Sequence, residues 1–249
     1  MPLATPFYED WSFWSMLIAA AALTLSQLPP LHIMFRRARL GCEAYSLLHI
    51  THKVGNPNAQ WHLIIENKGG RVVRVKGLTL EFRRKGAVPF TLPAQNYLMT
   101  PDAKETVMFT PFRLLPREER AHIINFFQLF ARDEDKEYRF LESAVRSDIL
   151  QQKQEPENRE KLCEASPTVV AGLLNFFRRK YQWVPGEYSL TLSIHTEPAA
   201  AGLKKQYRFT LFESEARELE EYSQGYKYGA GVYWISDAQP GLLVPIYED

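Results

Sequence analysis

The feature that most constrains this chain is an uncharged stretch near its beginning. Residues 11–35 contain no Asp, Glu, Lys or Arg, although such residues make up 24% of the whole chain. Acidic residues precede the stretch and arginines follow it: Glu9, Asp10, Arg36, Arg37 and Arg39. Because about 20 apolar residues are enough to cross the hydrocarbon core of a bilayer, the sequence predicts one N-terminal transmembrane helix over residues 11–35.

Two details of this stretch qualify the prediction. Pro29 and Pro30 remove helical hydrogen bonds, so we expect a kink or an exit from the helix there. A cleaved signal peptide would begin with positive charge, whereas residues 1–10 hold two acids and no Lys or Arg. The small residues Ala20 to Ala22 keep the cleaved-signal alternative open, and a buried core helix is the other alternative.

The charges on either side of the stretch predict its orientation. Lys and Arg near a membrane span stay on the cytoplasmic side, and here all of them lie after the span. We therefore expect residues 1–10 to be a short extracytoplasmic N-terminus and residues 36–43 to be a basic juxtamembrane linker. This predicts a single-pass protein of a bacterial inner membrane with a cytoplasmic C-terminal domain. The residues predicted to face the anionic lipid surface are Arg36, Arg37 and Arg39.

From Ala44 onward the apolar pattern changes to a period of two, which is typical of strands. In residues 45–54, 60–67 and 71–84 every second side chain belongs to one set, for example Trp61, Leu63 and Ile65. Within the last of these, Val73 and Val75 are out of step by one residue with Leu78, Leu80 and Phe82. A β-bulge at Lys76-Gly77 would bring both sets onto one face, so the sequence predicts a bulge there.

Residues 116–181 show helical spacing instead. Pro116 is followed by an apolar stripe of Ile123, Phe126, Phe127 and Phe130, which predicts a first helix. Residues 133–154 and 168–182 predict a second and a third. Strand patterns return at residues 186–198 and 204–215, and residues 215–249 read as a short charged helix and an aromatic, glycine-rich tail.

The order of strands, helices and strands predicts a mainly β body over residues 44–214, with a helical insertion at about 116–181. HLIIENKGGRVVRVKGLTLEF (62–82), together with GEYSLTLSI (186–194), resembles the immunoglobulin-like β-sandwiches of bacterial surface and accessory proteins. The resemblance covers about half of the chain and lacks the Cys…Trp…Cys core pattern. It implies an immunoglobulin-like β-sandwich interrupted by two or three helices and says nothing about activity.

Charge and composition limit the kinds of chemistry. The formal net charge of +1 gives no general attraction to nucleic acid. Phosphate-loop, nucleophile-elbow and zinc-helix motifs are absent from the sequence, so we expect no cofactor and see no small-molecule substrate. Cys42 and Cys163 are too few for a disulfide framework. His52 and His62 lie on neighbouring predicted strands, and a shared pocket with an acid would favour an enzyme.

These observations favour a non-catalytic accessory or adaptor protein, anchored in the lipid bilayer, whose body binds another protein. One alternative is an exported or periplasm-facing binding domain, in which the two cysteines could pair. A second alternative is an enzyme whose site is built from scattered residues. The partner-binding candidates are aromatic residues of the insertion and an interleaved cationic patch: Phe126, Phe127, Phe130, Phe176, Phe177, Arg178, Arg179, Lys180 and Trp183.

Overall fold

The computed structural model describes residues 11–27, 37–100, 103, 105–236 and 241–249. The predicted kink at Pro29-Pro30, Arg36 and residues 1–10 lie outside this range. In the described part there are four α-helices: α1 (Trp11–Gln27), α2 (Arg132–Gln152), α3 (Pro167–Lys180) and α4 (Glu213–Glu221). Short 3-10 helices span Pro156–Asn158, Ala199–Ala201 and Tyr222–Tyr228. The strands are β1 (Leu40–Ala44), β2 (Leu47–Lys53), β3 (Asn56–Asn67), β4 (Val73–Arg84), β5 (Phe90–Leu98), β6 (Val107–Met108), β7 (Phe112–Leu114), β8 (Glu119–Phe127), β9 (Gly186–Glu197), β10 (Leu203–Leu211), β11 (Leu242–Pro245) and β12 (Tyr247–Glu248).

The strands form one antiparallel sheet that is nearly closed on itself. Its order is β11-β2-β3-β8-β5-β4-β9-β10-β12, while β1, β6 and β7 pair with β3, β5 and β4. The C-terminal segment joins the two ends of this path, because β11 pairs with β2 and β12 pairs with β10. The mainly β architecture with a few helices is thus confirmed.

The predicted bulge is confirmed and helps to build the main core. The register between β4 and β9 shifts between Val75 and Gly77. The apolar side chains on both sides of the bulge are buried, namely Val73, Val75, Leu78, Leu80 and Phe82. They pack with aromatic side chains from both halves of the sheet, such as Trp61 and Phe209. A strand can therefore change phase at a bulge and keep its apolar side chains on one face.

The helices α2 and α3 form a layer over one end of the sheet, with their own smaller core. Tyr138, Val145 and Ile149 of α2 pack there with Leu173 and Phe176 of α3 and with Val54 from the β2–β3 turn. Ion pairs join the helices on their outer side, since Lys180 pairs with Glu134 and Arg179 pairs with Glu137. The predicted second and third helices correspond to α2 and α3.

The predicted first helix of the insertion is wrong. Residues 119–127 form β8, which runs antiparallel to β3 from Glu119 opposite Glu66 to Phe127 opposite Asn58. Isoleucine and phenylalanine suit a half-buried strand, and the backbone groups of β8 pair with β3 on one side and β5 on the other. The helical layer consequently begins at α2.

The long strand β3 runs from one end of the body to the other. Its first residues lie beside the helical layer, and its last residues lead into the turn at 67–72. The chain from α1 reaches the body at this turn, because a side-chain carbon added at Gly69 would collide with the backbone of Arg37 and Arg39. A strand of 12 residues is about 36 Å long. We call the end at Gly69 the anchor end and the end with α2 and α3 the helical end.

Candidate interaction surfaces

The helix α1 has no side that is covered by the body. Of residues 11–26, all but Phe13 are exposed, and Ile18 and Leu23 are 65% and 67% exposed. Its hydroxyl groups bond back to the helix backbone, for example Ser15 Oγ to Trp11 O at 2.9 Å and Ser26 Oγ to Leu23 O at 2.7 Å. Among the described residues, no helix is both long and apolar enough to cross a membrane.

Four of the aromatic residues predicted to bind a partner are buried. Phe126 belongs to the main core, and Phe176 and Phe177 belong to the smaller core between α2 and α3. Trp183 is fully buried, and its Nε1 donates to Thr51 O at 2.7 Å. The sheet and the helices together cover these four rings. In this fold these four side chains stabilise the body.

The other two aromatic candidates line an open cleft at the helical end. Phe127 and Phe130 are half-buried beside Leu129, which is 66% exposed. The cleft is about 820 Å³ in volume and lies between the end of β8, the β2–β3 turn and α2. Lys53 forms part of its wall, with its Nζ 5.0 Å from the ring centre of Tyr138. Asp135, Arg139 and Glu142 also line the cleft, so charges of both signs surround its apolar floor.

The cationic candidates lie at the end of α3, where two of them are used within the body. Arg179 Nη2 lies 2.5 Å from Glu137 Oε1, and Lys180 also pairs with an acid of α2. Arg178 is exposed and donates to Asn175 Oδ1 at 3.3 Å. Cations in the last turn also suit the partial negative charge of a helix C-terminus. The pattern FFRRK therefore has a structural use at this position.

A second cleft adjoins the first and was not found from the sequence. It is lined by the end of β2 and by the segment after the 3-10 helix at residues 222–228, and Lys53 and Asn58 border both clefts. Trp234 and Ile235 stand at its rim, 43% and 90% exposed. The run YWI in a glycine-rich tail was the available signal, but local spacing does not show that it meets β2.

His52 and His62 do not form the shared pocket that would favour an enzyme. His52 is half-buried, its Nε2 donates to Leu219 O at 2.8 Å, and its Nδ1 accepts from Gly55 N at 3.2 Å. Burial lowers the pKa of His52 to about 4. His62 lies on β3 opposite Ile123. In the part of the chain that the structure describes, no three His, Cys, Asp or Glu side chains could hold a metal ion.

The two cysteines are buried in different places. Cys42 belongs to the main core and Cys163 to the smaller one, and both are free thiols. Burial raises the pKa of Cys42 to about 12, so the reactive thiolate is scarce at neutral pH. The disulfide that the exported alternative allowed is not formed.

Of the predicted lipid-facing arginines, Arg37 and Arg39 are exposed at the anchor end. No protein-family model, no curated protein and no solved structure matches this chain.

Proposed function

We propose that this protein is a non-catalytic accessory protein that is anchored in a bacterial inner membrane by residues 11–35 and binds a protein partner with its body. The observation that carries the proposal is the exposure of α1. A helix that is apolar on every side is stable where lipid surrounds it, and its polar groups must then be satisfied internally. The hydroxyl groups of Ser15, Thr24 and Ser26 are bonded in this way.

The orientation proposed for the anchor follows from the arginines after it. Arg36, Arg37 and Arg39 would stay in the cytoplasm with the body, and residues 1–10 would be outside. Fusing alkaline phosphatase or a fluorescent protein after Asp249 tests this in bacterial cells. We expect fluorescence and no phosphatase activity. Phosphatase activity in the periplasm would contradict the orientation and favour the exported alternative.

The proposed partner site is the cleft at the helical end, which is the end farthest from the anchor. Phe127 and Phe130 supply its apolar floor, and the exposed side chain of Leu129 stands beside them. Because a membrane would lie at the other end, this cleft would face the cytoplasm. The immunoglobulin-like resemblance remains a prediction about architecture and adds nothing to this argument.

Site-specific photo-crosslinking tests the partner site. A photoreactive amino acid at Leu129 should give an adduct of one discrete mass in intact cells, and the additional change Phe130→Ala should reduce its yield. The matched control is the same photoreactive residue at Val88, which is 84% exposed in the turn between β4 and β5. Equal adducts at both positions, or none at Leu129, would contradict the proposed site.

A further inference from the structure

We infer that the anchor end of the body docks on the anionic phospholipid surface of the membrane that holds α1. The inference rests on the proposed anchor and adds a second membrane contact, made by the β-rich body itself. The docking surface comprises residues 37–39, 66–74 and 113–120, which we call the basic end. Three properties of this surface point to lipid: its charge, its apolar tip and its rigid frame.

The basic end concentrates the positive charge of the molecule. It contains eight Lys and Arg residues and three Glu, a formal net charge of +5, whereas the whole chain has +1 and the remainder thus has −4. Its acids are partly neutralised, since Glu66 pairs with Lys68 at 3.4 Å and Glu118 with Arg120 at 3.3 Å. Five exposed arginines have no ion pair with an acid that the structure describes: Arg37, Arg39, Arg71, Arg113 and Arg117.

Two apolar side chains project among these arginines. Val73 lies opposite Leu114 in the pairing of β4 with β7, so Val72 and Leu115 follow side by side beyond the sheet. They are 45% and 59% exposed. An apolar tip surrounded by cations matches a bilayer surface, where the tip can enter the boundary of the acyl chains and guanidinium groups can bind phosphate.

A buried asparagine holds the two loops of the basic end together. Asn67 is fully buried, and its Nδ2 donates to Arg71 O at 2.8 Å and to Leu114 O at 3.0 Å. Its backbone N donates to Glu118 O, and its backbone O accepts from Arg117 N, both at 2.9 Å. Glu118 Oε2 in turn accepts from Leu115 N at 2.7 Å. The arginines and the tip are thus fixed before any lipid binds, which lowers the entropic cost of docking.

The chain that leaves α1 arrives at the same place. The backbone of Arg37 and Arg39 packs closely on Gly69. Because α1 ends at Gln27, only ten residues before Arg37, an inserted α1 would keep the basic end near the membrane surface. Close to an anionic membrane surface, each arginine raises the ratio of docked to undocked body by roughly fivefold. Removing three of them should lower the ratio of docked to undocked body by roughly 100-fold.

The experiment uses the full chain reconstituted with vesicles of phosphatidylcholine alone or mixed with phosphatidylglycerol. A polarity-sensitive fluorophore is attached through Val72→Cys, since native Cys42 and Cys163 are 5% and 8% exposed and should not react. We expect a blue shift of the emission on anionic vesicles only, which high salt reverses. The same fluorophore at Val88→Cys, near the helical end, should stay in water on both lipids.

Charge-removal variants complete the test. Arg71→Gln with Arg113→Gln and Arg117→Gln should abolish the shift, whereas the matched change of Arg139, Arg146 and Arg178 to Gln should not. If the chain floats with both kinds of vesicle and the fluorophore at Val72→Cys shows no blue shift, α1 anchors the protein but the basic end does not dock on lipid. If the chain floats only with anionic vesicles, and the three arginine changes abolish that flotation, the basic end binds anionic lipid but α1 does not anchor the protein. A blue shift that survives the arginine changes would also overturn the inference.

Discussion

At the scale of single residues, His52 shows how a polar side chain is used to join elements. Its two ring nitrogens are bonded to α4 through Leu219 and to the β2–β3 turn through Gly55. Its ring also contacts Phe177 and Tyr181, with ring centres 5.3 and 5.5 Å away. The neutral ring satisfies both hydrogen bonds, whereas a charged ring would keep the bond to Leu219 O, lose the bond from Gly55 N and place a positive charge in a desolvated site.

The pKa of His52 predicts an acid-sensitive stability. The pKa is about 4 in the folded protein, lowered by burial from its ordinary value of 6.5. Above pH 6.5 the ring is neutral in both the folded and the unfolded protein, so His52 does not reduce the stability there. As the pH falls from 6.5 to 4, His52 should reduce the free energy of unfolding by about 3 kcal/mol, because a tenfold difference in proton affinity is worth about 1.4 kcal/mol. Chemical denaturation of the full chain in detergent, at several pH values, measures this.

The control for this prediction removes a titrating ring. His52→Gln should be less stable than the unaltered protein at pH 7, and this difference should shrink towards pH 4. Burial also lowers the pKa of His122, so a smaller slope of the same sign should persist in His52→Gln. An identical slope in the His52 variant and the unaltered protein would show that the ring is not the acid-sensitive group.

At the scale of elements, β8 explains where prediction from sequence failed. Ile123, Phe126, Phe127 and Phe130 have helical spacing, yet Arg120, His122, Ile124 and Phe126 alternate and share one face of a strand. Both periods fit the same residues. The segment is a strand because it pairs with β3, whose residues lie about 60 positions earlier. Local spacing cannot contain that information.

The strand β5 lies within the proline-rich residues 88–102, whose sequence predicts a connection and no strand. A proline-rich stretch predicts a connection, because proline cannot donate to a sheet. Pro93 lies opposite Thr79 at the last pair of β5 with β4, and from Ala94 onward β5 pairs with β8 instead. The missing donor falls where the strand changes partners. The bulge at Lys76-Gly77 could be predicted because both of its apolar sets lie in one short segment.

The small core under α2 and α3 predicts a local effect of mutation. Phe176→Ala should destabilise the helical layer by about 3–5 kcal/mol, because a fully buried ring leaves a cavity. Hydrogen exchange should then increase in α2, α3 and residues 222–228 while the central strands stay protected. Phe140→Ala, at a position on α2 that is 72% exposed, should change stability by less than about 0.5 kcal/mol. Equal effects of the two changes would contradict the description of this core.

The strand β11, in the C-terminal segment that closes the sheet, predicts different effects for two neighbouring substitutions. Val244 on β11 is fully buried, whereas its neighbour Leu243 is 60% exposed. Val244→Asp should cost more than about 3 kcal/mol, since it places a charge without a partner in the main core. Leu243→Asp should be tolerated within about 1 kcal/mol. Thermal unfolding of both variants checks this, and a stable Val244→Asp protein would show that β11 does not complete the core.

At the scale of the whole molecule, the two ends of the body differ in charge and shape. The anchor end has the five exposed arginines that pair with no acid in the described part of the chain, and the helical end has the clefts around Lys53. Arg37 and Arg39 could be named from the sequence because they adjoin the uncharged stretch. Arg71, Arg113 and Arg117 could not, because their proximity depends on the pairing of β4 with β7 and on Asn67. The cleft residues Lys53 and Trp234 likewise come from distant segments, so the sequence pointed only to Phe127 and Phe130.

The central claim is that α1 attaches the molecule to a membrane, and vesicle flotation of the full chain tests it most directly. High salt is used so that the basic end contributes little. We expect the unaltered protein to float. Leu17→Arg with Ile18→Arg should sink, since each arginine in the middle of a span costs about 3 kcal/mol, whereas the control Val88→Arg should float. If the unaltered protein stays at the bottom, or the double variant floats with it, α1 is not an anchor.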